Sequence, residues 1–244
     1  MIPAGILASS RRPYNYNVEV MADSPGLYWR LGETSGTVVV DSSGNGRNGL
    51  YGTYGGSTAP ATSLLPGDAN LAREFSGGDA EIEWASWQDA TVFTAEAIFT
   101  YVGGGLMMIF SNDGGSSPSA RWWNLAVNNS GPGQRVWFHN PSDSHDFYGS
   151  TILSASTRYH VALVADSGST KIYLNGVLDA SSAYPIPSPP GSNRAMIVGA
   201  SEMGTGGGSA RFYQWDDIID EFAWYPAALS AGRILTHAQA AGLA

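Results

Sequence analysis

Short apolar and β-branched runs recur along this chain, each closed by glycine, proline, asparagine, aspartate or serine. Residues 37–40, 80–84, 91–102, 106–110, 122–127 and 135–138 form one series, and residues 159–165, 171–174, 195–199 and 211–224 continue it. Runs this short with turn residues between them predict the strands of an all-β sandwich or barrel, not βαβ units. Asp166-Ser-Gly-Ser169 has the composition of a hairpin loop, and Asn175-Gly176 marks a second tight turn leading into Val177. Alternation places Val161, Leu163 and Ala165 on one buried face. It sets adjacent Trp122 and Trp123 on opposite faces, so that one lies outside the core or at an interface.

One helix is predicted, near the C-terminus. Ser230 can cap it, Ile234 and Leu235 give it an apolar side, and Gly242 supplies a stop. It is expected to be the one substantial helix of the chain. Residues 1–24 differ in character, with Pro3, Gly5, Pro13 and a Tyr-Asn alternation at 14–17. Ile2, Ile6, Leu7, Tyr14 and Tyr16 are too sparse an apolar set to build a core of their own. The segment is therefore expected to project as an assembly arm and dock on another subunit, leaving residues 25–244 as the folded domain.

Composition supports a single β-rich domain. The chain has 244 residues, 31 of them glycine and 13 proline, and only 14% are charged. A net charge of -9 argues against a nucleic-acid partner, which needs a basic face. Cysteine is absent, which excludes disulfides and thiolate metal sites. There is no apolar run long enough to span a membrane, and no export signal is read at the N-terminus.

Candidate chemistry is sparse. Glu81 and Glu83 alternate on one strand face, as a retaining hydrolase pair can, but lack the Glu-x-Asp-x-Glu pattern, and Asp216, Asp217, Asp220 and Glu221 cluster with the wrong spacing, so no catalytic residues are assigned. His139, Asp143, His145 and Asp146 fall in one polar stretch that reads as a loop without zinc-ligand spacing. His160 sits among apolar neighbours as a structural histidine. Trp84, Trp87, Trp122, Trp123 and Trp137 are the candidates for a glycan platform or an interface, against the plainer role of filling a core. The glycine-rich turn that begins at Asp41 offers the carboxylate, amide and backbone oxygens that hard cations take.

Three phrases stand in a fixed order: Leu27-Tyr-Trp-Arg-Leu-Gly-Glu33 with Asp41-Ser-Ser-Gly-Asn-Gly-Arg-Asn-Gly49, then Arg158-Tyr-His-Val-Ala-Leu-Val164 with Lys171-Ile-Tyr-Leu-Asn-Gly176, then Ile219-Asp-Glu-Phe-Ala-Trp-Tyr225. Together they resemble the laminin-G-like jelly roll of the concanavalin A-like superfamily. The resemblance implies a two-sheet antiparallel sandwich with one short C-terminal helix. It also implies a structural calcium near the Asp41 turn, completed by Asp220 from the final strand. The phrase at residues 21–33 resembles the opening of laminin-G-like proteins of tailed bacteriophages. What that implies is a non-enzymatic virion structural protein, a minor tail or capsid decoration protein on the particle surface. Its partners would be other virion proteins and copies of itself, with a host-surface glycan as a further ligand. The alternative is a carbohydrate-binding, lectin-like module.

Overall fold

The computed structural model describes residues 15–52, 56–83, 85–113, 122–128, 133–189, 194–201 and 213–244. Among them are sixteen strands and two α-helices, numbered below in chain order. The strands form two eight-stranded sheets in which all pairs of named strands are antiparallel.

The first sheet runs β14 (Val177–Ser182), β13 (Thr170–Leu174), β12 (Thr157–Ala165), β7 (Phe93–Tyr101), β16 (Asp216–Tyr225), β5 (Leu71–Ser76) and β4 (Ser57–Thr62). Its eighth strand, β1 (Leu27–Trp29), also pairs with β16. The second sheet runs β11 (His145–Tyr148), β10 (Arg135–Asn140), β9 (Trp123–Asn128), β8 (Met107–Asp113), β15 (Ala195–Val198), β6 (Asp79–Glu83), β3 (Gly49–Gly52) and β2 (Val38–Val39). The concanavalin-like sandwich expected from the sequence is what forms. Pro60 sits in β4, an edge strand, where a residue without an N–H costs the ladder least.

The interior between the sheets is rich in aromatic side chains. Phe93 stacks on Trp123 at 4.8 Å between centroids, and Phe99 meets Trp215 edge-on at 5.3 Å. Val161, Leu163 and Ala165 face this interior as alternation predicts. Their neighbours Ala162 and Val164 are buried as well, because the outer face of the first sheet is covered by α2 (Ala231–Ala240) through Ile234. The Ser230 side chain caps α2 by accepting from the Arg233 amide at 3.3 Å. At Asn175-Gly176 both residues take positive φ, 49° and 80°, the geometry that a two-residue hairpin demands.

The N-terminal segment departs from expectation. Residues Tyr16–Ala22 form a second helix, α1, which lies beside α2. Tyr16 and Val20 are buried against Tyr28, Ile98 and Tyr225 on the outer face of the first sheet. Tyr16 is therefore part of the domain and not of a projecting arm, and the folded unit begins before residue 25. The physical reason is that Tyr16 and Val20 are one helical turn apart, so a helix presents both to the sheet where an extended arm would not. Ile2, Ile6, Leu7 and Tyr14 lie outside the described residues.

Candidate functional site

Residues 41–48 form a turn organised by one carboxylate. Asp41 Oδ1 accepts from the Tyr28 amide at 3.0 Å and the Ser43 amide at 2.9 Å. Its Oδ2 accepts from the Ser43 hydroxyl at 2.8 Å and the Arg47 amide at 2.9 Å. Burial alone would raise this carboxyl, but the hydrogen bonds outweigh it and hold Asp41 below the ordinary aspartate range. The turn is also tied to the interior, since the Trp29 indole N–H donates to the Arg47 carbonyl at 3.0 Å.

The same turn builds one wall of a cleft of about 470 Å³. Ser43, Asn45 and Arg47 line it from the turn, Gly26 from the approach to β1, Trp87 from the 3₁₀ turn Ser86–Asp89, and Trp224 from β16. The Asn45 amide donates to the carbonyls of Pro25 and Gly26 at 3.1 and 3.2 Å. Arg47 Nη1 donates to the Gly26 carbonyl at 2.6 Å, and its guanidinium carbon lies 4.1 Å from the centroid of the Trp87 ring. Trp87 is half-buried and meets Trp224 edge-on at 5.1 Å. Gly26 is required here, because a Cβ would stand 2.7 Å from the Trp224 ring. Arg47 is the one charged side chain among the described residues that line the cleft.

The expected tryptophans separate by environment. Trp87 is in the cleft. Trp122 and Trp123 are both fully buried in the interior, so neither lies outside. Trp122 immediately precedes β9 and so escapes the pleat that would oppose the two rings. Its indole N–H donates to the Pro187 carbonyl at 3.0 Å. Trp137 lies on the outer face of the second sheet between His139 and Tyr148, with centroids 4.7 and 6.1 Å away. Its indole donates to Asp146 at 3.2 Å. Trp84 lies outside the described residues.

The polar stretch at residues 138–147 is a hairpin and not a loop, with His139 opposite Asp146 and Asn140 opposite His145. His139 stacks on Trp137, while His145 stacks on Tyr184 at 3.7 Å, so the two histidines serve opposite faces of the sheet. Among the described residues no group of three or more His, Asp or Glu side chains could hold a metal.

Nor do Asp41 and Asp220 fit a shared cation. Every Asp41 bond named above comes from an N–H or O–H donor, and Asp220 Oδ2 accepts from the Ser63 hydroxyl at 3.1 Å and the Leu64 amide at 2.9 Å. Among the described residues the two carboxylates share no hydrogen-bond partner. Burial, and then the neighbouring Glu221 charge, push the Asp220 carboxyl above the ordinary range, which disfavours the ionised form that a cation needs.

Histidine and carboxylate do meet beneath the helices. Glu96 of β7 is fully buried and lies between His237 of α2, 2.9 Å away, and His160 of β12, 3.0 Å away. The Tyr225 hydroxyl donates to it at 2.5 Å. This cluster is closed to solvent and cements the helices to the sheet.

Residues 76–235 match the family described as the concanavalin A-like lectin/glucanases superfamily, and the chain belongs to it. Among solved structures, domain 4 of AbnA, a GH43 extracellular arabinanase from Geobacillus stearothermophilus solved with arabinotriose, is similar at 17% identity and a TM-score of 0.63. That match covers 88% of this chain and 98% of the domain. The Trypanosoma rangeli sialidase, in complex with 2,3-difluorosialic acid, is similar at 15% identity and a TM-score of 0.62 over 88% of this chain. The match spans 32% of the sialidase. A pentraxin from Limulus polyphemus is similar at 15% identity and a TM-score of 0.51, covering 61% of this chain and 70% of the pentraxin. At these identities the three show the fold. No curated protein sequence matches the chain.

Sequence reasoning missed Arg47, Asn45 and Ser43 as site residues. The signal was present in the Asp41 phrase, but its oxygens drew attention to a cation, while its amides are what the aspartate takes.

Proposed function

We propose that this protein is a non-catalytic carbohydrate-binding module and that the cleft at Trp87 receives the glycan. The observation that carries the reading is the half-buried Trp87, with Arg47 over one face of its ring, lining a cleft edged by a turn of small polar side chains. Sugars present C–H faces that pack on tryptophan and hydroxyls that bond to amide and hydroxyl groups. A volume of about 470 Å³ accommodates one or two sugar rings. The arabinotriose bound to the similar arabinanase domain, which the match covers almost whole, supports a glycan as the ligand class.

Binding without hydrolysis is favoured because no carboxylate lines the cleft among the described residues. Of the acid cluster of β16, Asp220 and Glu221 are fully buried, while Asp216 and Asp217 reach the surface outside the cleft lining. The virion reading, which rests on the resemblance of residues 21–33, expected residues 1–24 to be an arm. Residues 16–22 are built into the domain instead, and the similar arabinanase domain solved with arabinotriose puts the lectin-like reading first.

The test is a panel of soluble oligosaccharides and polysaccharides, arabinan included, titrated into the intact chain and into Trp87→Ala. Binding of at least one glycan, weakened about ten-fold or more by the substitution, is expected from loss of a stacking ring. A chain that binds none of them does not have this function.

A further inference from the structure

Arg47 differs from the other paired cations of the chain. Arg30 holds Asp68 and Glu221, Arg194 holds Asp89, Arg233 holds Glu19 and Asp23, and Lys171 holds Asp166. Arg47 has no carboxylate partner among the described residues. It is half-buried, and its one hydrogen bond there runs from Nη1 to the Gly26 carbonyl, which leaves Nε and Nη2 uncommitted. The guanidinium is fixed from two sides, by that carbonyl and by the Trp87 ring, so its orientation is set before any ligand arrives. Asp41 is nearby, but its oxygens are spent on the turn. Burial pulls the Arg47 pKa down, and the Asp41 charge offsets that only in part. A partly desolvated guanidinium that no carboxylate bonds directly is a costly arrangement that a ligand carboxylate would relieve.

We infer that the cleft selects a sugar bearing a carboxylate, received by the free edge of Arg47 while the ring packs beside Trp87. This rests on the carbohydrate-binding reading and narrows its substrate class to acidic glycans. The setting strengthens the case. In a chain of net charge -9, an unpaired cation in a cleft without acidic lining is the local exception, and it lowers the repulsion an anionic sugar would otherwise meet. A neutral sugar would leave the guanidinium as unpaired as before.

The experiment compares each acidic glycan with its own methyl ester. Oligogalacturonate and sialyllactose are each titrated against their carboxyl methyl esters, using the intact chain, Arg47→Gln and Trp87→Ala. The intact chain should bind the free acid of at least one pair about ten-fold or more tighter than its neutral partner, the scale of one charge-assisted hydrogen bond. Arg47→Gln should bring the ratio of acid to neutral affinity down to about one, whatever it does to neutral binding through its contact with Trp87, and Trp87→Ala should weaken both forms together. An effect confined to one pair identifies the source as uronic or sialic acid.

Equal binding of both members of each pair by the intact chain overturns the inference, and that comparison needs no variant to fold. So does a preference that survives in Arg47→Gln with an unchanged melting temperature. Neutral binding that depends on Trp87 would leave the carbohydrate reading standing while the acidic one fell. Absence of all binding would remove both.

Discussion

His237 of α2 lies 2.9 Å from Glu96 of the first sheet through Nδ1, and 3.0 Å from Asp23 at the end of α1 through Nε2. One imidazole thus bonds a strand and two helices together. Glu19, Arg233, Tyr16, Tyr225 and His160 complete the surroundings. For Glu96, burial alone would raise the pKa, but the two histidines outweigh it and hold the carboxyl well below its ordinary 4.5. For His237, burial pulls the pKa down, but Glu96 and Asp23 overcome it and the net shift is upward from 6.5.

These shifts set a pH window. Glu96 contributes stability above its unfolded value of 4.5, which is lost as pH falls towards its depressed folded value. His237 contributes stability that is complete below its unfolded 6.5 and is lost as pH rises through its raised folded value. The urea midpoint should therefore be highest in mildly acidic solution and decline on both sides. His237→Asn should flatten the alkaline limb. A wild-type midpoint that does not move across the histidine range would show that the imidazolium is not formed.

Removing Glu96 leaves two buried histidines and a tyrosine hydroxyl without their common acceptor. Glu96→Ala should cost about 3–5 kcal/mol in equilibrium denaturation. A cost under about 1 kcal/mol, the scale of a single neutral hydrogen bond, would mean that the cluster contributes little.

Glu221 combines a positive φ of 58° with buried bonds to Arg30 at 2.8 and 3.0 Å and to the Tyr28 hydroxyl. Glu221→Ala keeps the strained backbone and loses the bonds, whereas Glu221→Gly loses the bonds and relaxes the backbone. Both should be less stable than wild type, with the glycine variant above the alanine variant by about 1 kcal/mol. The reverse order in chemical denaturation would contradict the strain.

Deleting residues 1–22 should destabilise the domain and not merely detach an arm. It removes the buried Tyr16 and Val20, each worth about 1.5–3 kcal/mol, and the Glu19 partner of Arg233. A truncated chain with the wild-type melting temperature would return the segment to the role of a free leader.

Asp41→Ala should remove the hydrogen bonds that shape the turn, lower the melting temperature and weaken glycan binding along with it. EDTA should leave the wild-type melting curve unchanged, because the turn is held by N–H and O–H donors. A fall in melting temperature on chelation would reinstate calcium.

The β16 phrase shows where pattern reading stops. In Ile219-Asp-Glu-Phe222 strict alternation would send Ile219 and Phe222 to opposite faces. Instead both enter the interior, because β16 is out of step with β7 between Asp220 and Ala223, a bulge that carries Asp220 and Glu221 together to the helix side. The bulge depends on the Arg30, Tyr28, Ser63 and Leu64 groups waiting there, which are 156 to 193 residues away in sequence.

By itself the sequence determined the period of the strands, the Asn175-Gly176 turn, the capped helix after Ser230 and the sandwich class, because each is written in neighbouring residues. Only the tertiary structure decided which faces are covered. It packed Tyr16 of α1 onto the first sheet, drew Trp122 and Trp123 alike into the interior, and engaged both Asp41 oxygens with the amides and hydroxyl of the turn. It also set Arg47 against Trp87 across 40 residues of sequence, at 4.1 Å. Local pattern records how often a side chain points one way. What it meets there depends on segments distant in sequence, whose packing no single stretch of chain contains.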